Sequence, residues 1–300
     1  MVILLITLII LFNLLCITVM FYKWSRRPAE RLSFYQYMTL CLSGIIAFIA
    51  DTVGVGSFAV NVALAKLFGT FQDDELPAVC NGAQVIPGII ESFFFMHLVN
   101  VDVKTLVTLV SGACVGGLIG GWVVSFLSKQ AIRLAMIACF ALLIILVIVH
   151  QLHVFSIGGD LIALHSWRLF IGFWGMIICG ALTSVGIGLF VMVQAVLFLL
   201  NVSPLIAFPI MTTAGAMQQP LTTLVFLQQN KIPLKKTLIL SLSGCLGVVL
   251  ILPWFTQLAV KWLHSLLLFI LIYNFIIIGR AYLHSRLRQK YKQPHALAVE

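Results

Sequence analysis

Asp51-Thr52-Val53-Gly54-Val55-Gly56-Ser57 interrupts an apolar run that spans residues 34–67. As one straight helix, this run would be about 50 Å long at 1.5 Å per residue, more than ~30 Å of hydrocarbon requires. The helix must therefore break, and the glycines at 54 and 56 mark the place. A broken helix exposes N–H groups that hydrocarbon cannot satisfy, so the break must be buried in protein or face a wet cavity. The half-helix beyond it begins with partial positive charge, which suits an anion. The competing use of such glycines is close helix packing.

A bilayer is what the composition demands. Hydrophobic residues make up 62% of the chain and charged residues 9%, against ~45–50% and ~25% in soluble domains. Such a chain cannot cover a globule with polar side chains, so it is read as an all-α polytopic membrane protein, and most soluble-enzyme classes are excluded. The net charge of +9 comes from clusters beside apolar segments: Arg26, Arg27 and Arg31, then Lys231, Lys235 and Lys236, then Arg286, Arg288, Lys290 and Lys292. That pattern reports membrane topology and does not call for nucleic acid. The seven cysteines are widely spaced, mostly inside apolar runs, and read as buried small hydrophobes.

Outward from the break, residues 1–24 form an extra N-terminal helix that is expected to be retained. Its apolar run is too long for a signal peptide and lacks a basic leader. A first transmembrane repeat covers residues 34–150 as four elements: 34–67, 77–98, 105–127 and 133–149. A connecting loop follows at 151–168. The second repeat covers 169–282 as 169–200, broken at Val185-Gly186-Ile187-Gly188, then 204–227, 237–253 and 261–278. Residues 283–300 form a basic tail.

The recurrence has a register. Gly54-Val55-Gly56 pairs with Gly186-Ile187-Gly188 at an offset of 132, as do Lys104-Thr105-Leu106 with Lys236-Thr237-Leu238 and Gly112 with Gly244. Duplicated halves about a pseudo-two-fold axis are a common build of secondary transporters. If the broken element crosses the bilayer, each half has four crossings and the halves are parallel, with 14 Lys and Arg inside and 4 outside. If it dips in and returns, each half has three and the halves are inverted, with 15 inside and 3 outside (Lys104, Arg168 and Lys261). Both satisfy the positive-inside rule. The inverted arrangement is favoured because two pieces of about 13 to 17 residues suit a dip and return. Either way the N-terminus lies outside and the C-terminus in the cytoplasm, with the inner membrane as the expected location.

Two breaks related by an axis would build one central site. The candidate substrate-binding residues are Gly54, Gly56, Ser57, Asn61, Asn81, Gln84, Ser184, Gly186, Gly188, Gln194, Thr213 and Gln218. Amides and hydroxyls outnumber carboxylates in the apolar segments, which favours a small anion over a cation. Asp51 and Glu91 are the exceptions. A carboxylate in a spanning helix costs ~2.5–3.5 kcal/mol on insertion scales, so each implies a partner, a water path or a proton. Both are candidates for carrying a coupling proton, Glu91 more so because it lies deeper in its segment; for Asp51 the rival role is to cap the half-helix beyond the break. No metal cluster, nucleotide motif or nucleophile–base pattern is present, so no cofactor and no enzymatic activity are expected.

On the stretch at 51–57, the turn Asn100-Val101-Asp102-Val103-Lys104-Thr105 leading into Gly112, Gly116, Gly117, Gly120 and Gly121, and their second-half counterparts Val185-Gly186-Ile187-Gly188 and Lys235-Lys236-Thr237-Leu238 before Gly244 and Gly247, residues 38–282 resemble the sulfite exporter TauE/SafE family of membrane permeases. The resemblance implies a secondary transporter of sulfur-containing or other small organic anions, often an exporter, with Gly54, Gly56, Gly186 and Gly188 at its site. The chain departs from that pattern at Ser57 and Leu189, where a further glycine is usual, and at Asn61 and Val193–Gln194, where a proline is. The rival expectation is a membrane accessory or assembly protein with no transport of its own. A transporter should hold a polar cavity between the breaks; a scaffold should be packed there.

Overall fold

Hydrocarbon leaves a backbone no partner but itself, and these apolar runs answer with helices. The computed structural model describes residues 2–26, 31–152, 159–257 and 260–296, among which there are twelve α-helices. They are α1 (Val2–Ser25), α2 (Phe34–Thr52), α3 (Ser57–Phe68), α4 (Leu76–Gln84), α5 (Pro87–Leu98), α6 (Val103–Ser125), α7 (Lys129–Gln151), α8 (Ser166–Thr183), α9 (Leu189–Leu199), α10 (Pro204–Gln228), α11 (Leu234–Ile251) and α12 (Val260–Ala296). Seven of them, α1, α2, α6, α7, α8, α11 and α12, are long and apolar enough to cross a membrane, and the bent pair α4–α5 makes eight. The chain is thus a polytopic all-α membrane protein. α10 is long but polar: Thr212, Thr213, Gln218, Gln219, Thr222 and Thr223 are all buried. Such a helix must sit in the protein interior, and it packs against α1, α4, α5, α6 and α9.

The contacts repeat themselves. α6 lies against α8 and α11 against α2; α7 touches α9 and α12 touches α3. Exchanging α2 with α8, α3 with α9, α4–α5 with α10, α6 with α11 and α7 with α12 maps this pattern onto itself, as internal symmetry requires. The α6–α8 seam is cut by glycines one turn apart. A Cβ at Gly112 would lie 2.6 Å from the Phe173 carbonyl oxygen and one at Gly120 2.5 Å from that of Ala181, while one at Gly116 would overlap Ile177 O. On the other seam Gly247 faces the carbonyl of Ile45, and Ile45 corresponds to Ile177 at the offset of 132. Only glycine lets backbones approach this closely.

Polar contacts fix which helix ends lie together. Lys23 donates to Asn230 Oδ1 at 3.3 Å, and Lys236 to the Thr70 carbonyl at 3.2 Å. Lys235 stands 5.2 Å from the Tyr37 ring centroid, and Lys129 pairs with Asp74 at 2.8 Å. The end of α1, start of α2, end of α3, start of α4, start of α7 and the α10–α11 turn therefore share one end, the basic end. At the opposite end, Leu164 N–H bonds Thr105 Oγ1 at 2.9 Å and Leu161 N–H bonds the Asn201 carbonyl at 3.1 Å. There the start of α6, the start of α8 and the end of α9 meet. So α2 leaves the basic end and α3 returns to it, whereas α8 and α9 leave and return at the opposite end.

Three expectations need correction. The element at 77–98 is two helices bent by 49°, because Pro87 lacks the N–H that would continue the first. The halves of the broken elements are unequal, 19 and 12 residues then 18 and 11, in place of similar pieces. The last helix runs on to Ala296, well past 278. Within the connecting loop, 153–158 lie outside the described residues, as do 27–30 near the first basic stretch and 297–300 of the tail.

A Cβ at Gly279 would meet nothing within 4 Å. Gly116→Ala should therefore lower the denaturant midpoint in detergent by the ~1–3 kcal/mol typical of overpacking, while Gly279→Ala should leave it unchanged or slightly raised. Equal midpoints would contradict the glycine seam.

Candidate functional site

α2 ends at Thr52 because Gly54 and Gly56 take φ of 90° and 92°, values that a β-carbon opposes. The turn brings the chain back on itself and closes its own donors. Gly54 N–H bonds Asp51 O at 2.8 Å, and Val55 and Gly56 N–H bond Ala50 O at 2.9 and 3.3 Å. Ser57 N–H, the first of α3, bonds Asp51 Oδ1 at 2.6 Å. The donors of the turn and the first N–H of α3 are thus paired at the first break: Asp51 caps α3 from the preceding helix, and α3 starts at Ser57.

A buried network grows from that cap. Gln84 on α4 sends its two N–H groups to Asp51 Oδ2 at 2.5 Å and Glu91 Oε2 at 3.2 Å. Ser57 Oγ donates to Gln84 Oε1 at 2.7 Å. Asp51, Thr52, Ser57 and Glu91 are each 1% exposed and Gln84 3%. Thr52 Oγ1 lies 2.9 Å from Phe48 O and 2.8 Å from Glu91 Oε1, yet a hydroxyl has one proton to give. The single Thr52 proton is thus shared between the Phe48 carbonyl and Glu91 Oε1. Asp51 accepts on both of its oxygens.

The second break differs. Gly186 takes φ of 97°, but Gly188, expected to match Gly56, has an ordinary φ of −56°. Val185 and Gly186 N–H bond Leu182 O and Thr183 O at 3.0 and 2.9 Å. The first N–H groups of α9 have no earlier turn to bond. Thr183 stands where the first half has Asp51, so no carboxylate caps them. Around this break, Asn81 Nδ2 donates to Pro77 O at 2.8 Å and Thr183 O at 3.3 Å. Ser184 Oγ donates to Gly117 O at 3.1 Å, and Gln218 packs against the same glycine. Asn81 Oδ1 and Gln218 Oε1 are buried without a partner. The Thr222 hydroxyl, 2.6 Å from Gln218 Nε2, can donate as well as accept, so this amide can offer its free end as a donor.

The two breaks meet: a Cβ at Gly188 would sit 3.9 Å from Phe58 Cβ. They are packed against each other at this contact, the arrangement expected of a scaffold and not the polar cavity expected of a transporter. Of the candidates, Ser57 and Gln84 join Asp51 and Glu91, while Asn81, Ser184 and Gln218 gather at the second break with Gly186 and Gly188. Thr213 bonds Ser92 at 3.3 Å, beside Glu91. Asn61, a turn beyond Ser57, is buried with neither amide atom bonded. Gln194 is half-buried on α9 and makes none of these contacts. Thr52, Ser92 and Thr222 escaped the sequence reading; a hydroxyl next to a singled-out carboxylate, or one helical turn from a singled-out amide, was the signal available. Comparison with protein-family models, curated proteins and solved structures gives no match.

Gln84→Leu leaves two buried carboxyls without their shared amide and should cost ~1–3 kcal/mol in detergent unfolding. Gln194→Leu should stay within about 0.5 kcal/mol of the parent.

Proposed function

We propose that the chain is a proton-coupled secondary transporter, a permease for a small anion, built as an inverted repeat. Support for the inversion comes from the two broken pairs, which enter and return at opposite ends of the bundle. On that topology fifteen Lys and Arg share the basic end and Lys104, Arg168 and Lys261 the other, so the basic end is cytoplasmic, the C-terminus inside and the N-terminus outside. The motifs that resemble the TauE/SafE permeases fall on the breaks and the glycine seams, consistent with a sulfur-containing or other small organic anion exported across an inner membrane.

One observation carries the reading: two buried carboxyls share one amide with no Lys or Arg in the described network. Two adjacent uncompensated anions inside a bilayer are too costly, so the pair holds a proton. Glu91 is the proton carrier, and Asp51 is the fixed charge that closes α3. The substrate belongs at the second break, where α9 begins without a carboxylate and neutral amides and hydroxyls converge. Deprotonation of Glu91 sets two like charges together, and the strain is relieved by parting α5 from the α2–α3 turn, which opens the sealed contact at Phe58.

In reconstituted vesicles, Glu91→Gln should abolish pH-gradient-driven flux of sulfite, thiosulfate, sulfonates or carboxylates, whichever the parent carries. Unchanged pH dependence removes Glu91 from the mechanism. A cysteine at Asn100 in a Cys-free background should label from outside only; labelling from the cytoplasm alone would sink the inverted topology.

A further inference from the structure

Over the second break, at the basic end, lies a cleft of about 170 Å³ lined by Asp74, Pro77, Ser125, Ser128, Lys129 and Lys231 among others. That is the volume of about six waters in the liquid, enough for one small anion. Its floor is one residue thick. Pro77 lines the cleft, and its Cα lies 3.2 Å from where a Cβ at Gly186 would sit. Asn81, which holds Pro77 O, also holds Thr183 O of the break.

The charges around the cleft are unequally committed. Lys129 Nζ bonds Asp74 Oδ1 and Gln72 Oε1, each at 2.8 Å. Both partners of that ion pair are about two-fifths exposed, and an exposed pair of this kind holds weakly. Lys231 brings a second positive charge, exposed and felt at Asp74. The start of α7, capped by Ser128 Oγ at 3.3 Å from Ala131 N, adds its partial positive end. The neighbouring Asp73 is differently placed: it is 3% exposed and pinned by Lys66 and by Arg133 at 2.5 Å. The loop is therefore anchored at Asp73, while the Asp74 side chain is held by the exposed pair with Lys129.

We infer that this cleft is the cytoplasmic vestibule of the anion path, in which an incoming small anion displaces Asp74 and is held between Lys129 and Lys231 before passing the Pro77 floor. The inference rests on the permease reading above and adds to it the entry site and its latch.

The test is chemical and needs no transport. Leu127, which also lines the cleft and is half-buried, is replaced by cysteine, with the unsubstituted chain as the background for its own seven cysteines. Labelling rates are compared for an anionic (sulfonatoethyl) and a cationic (trimethylammonioethyl) methanethiosulfonate. Lys129→Gln and Lys231→Gln should each lower the anionic rate severalfold and leave the cationic rate equal or higher; Asp74→Asn should raise the anionic rate. Methanesulfonate should protect Leu127→Cys with saturable dependence, and the double lysine variant should lose that protection. A rate ratio that stays constant across the variants, or no protection by methanesulfonate, sulfate or acetate, would overturn the vestibule. Such a failure leaves the Glu91→Gln flux result standing, and a failed flux result leaves charge-selective labelling of the cleft intact.

Discussion

A helix that stops inside hydrocarbon has no water to complete it, and this chain stops two helices there. At the first break the solution is a carboxylate: Asp51 takes the first N–H of α3, and the backbone at Ala50 and Asp51 takes the three before it. A buried carboxylate needs donors of its own, which brings in Gln84. That amide has a second N–H to place, which brings in Glu91. A constraint on the backbone thus ends as a constraint on protons. Each link is short and sealed, so the parts of the network respond together.

The glycine seams set what can move. α6 is held backbone-to-backbone on α8, and α11 on α2, so each close pairing joins helices from different repeats. The rigid units therefore cross the boundary between the sequence halves, and rocking one half against the other would tear both seams. The short helices α3 and α9 and the α4–α5 bend lie outside these two seams, and they carry or border both breaks.

Much of this was legible in advance, and the failures have physical causes. The breaks followed from a length that exceeds the bilayer and from paired glycines, both local facts. The internal repeat followed from register. The bend before Pro87 was missed because proline alone does not decide: α10 continues as one helix through Pro209 and Pro220. Asp51 and Glu91 stood out as carboxylates in apolar runs, but their meeting through Gln84 depends on how α4 folds over the first break, and no spacing encodes that. Gly188 was misjudged because symmetry of sequence was taken as symmetry of backbone. Gln194, half-buried on α9, joins neither polar group.

That last contrast bears on how the two halves divide the work. At the shared offset, Asp51 meets Thr183, Ser57 meets Leu189 and Glu91 meets Thr223. The fold repeats while the chemistry does not. An anion cannot share the α3 terminus with Asp51, since the same N–H would have to serve both and the two charges would repel at close range. The α9 terminus has no such occupant, and the amides beside it keep oxygens unbonded in an interior where each such atom carries a penalty. A chain that only needed to be stable would have filled those places with alkyl groups, as Leu189 fills the place of Ser57. Unbonded amide atoms lie at both breaks, Asn61 at the first and Asn81 and Gln218 at the second, while the carboxylates belong to the first alone, and the permease proposal assigns the proton and the anion on that difference.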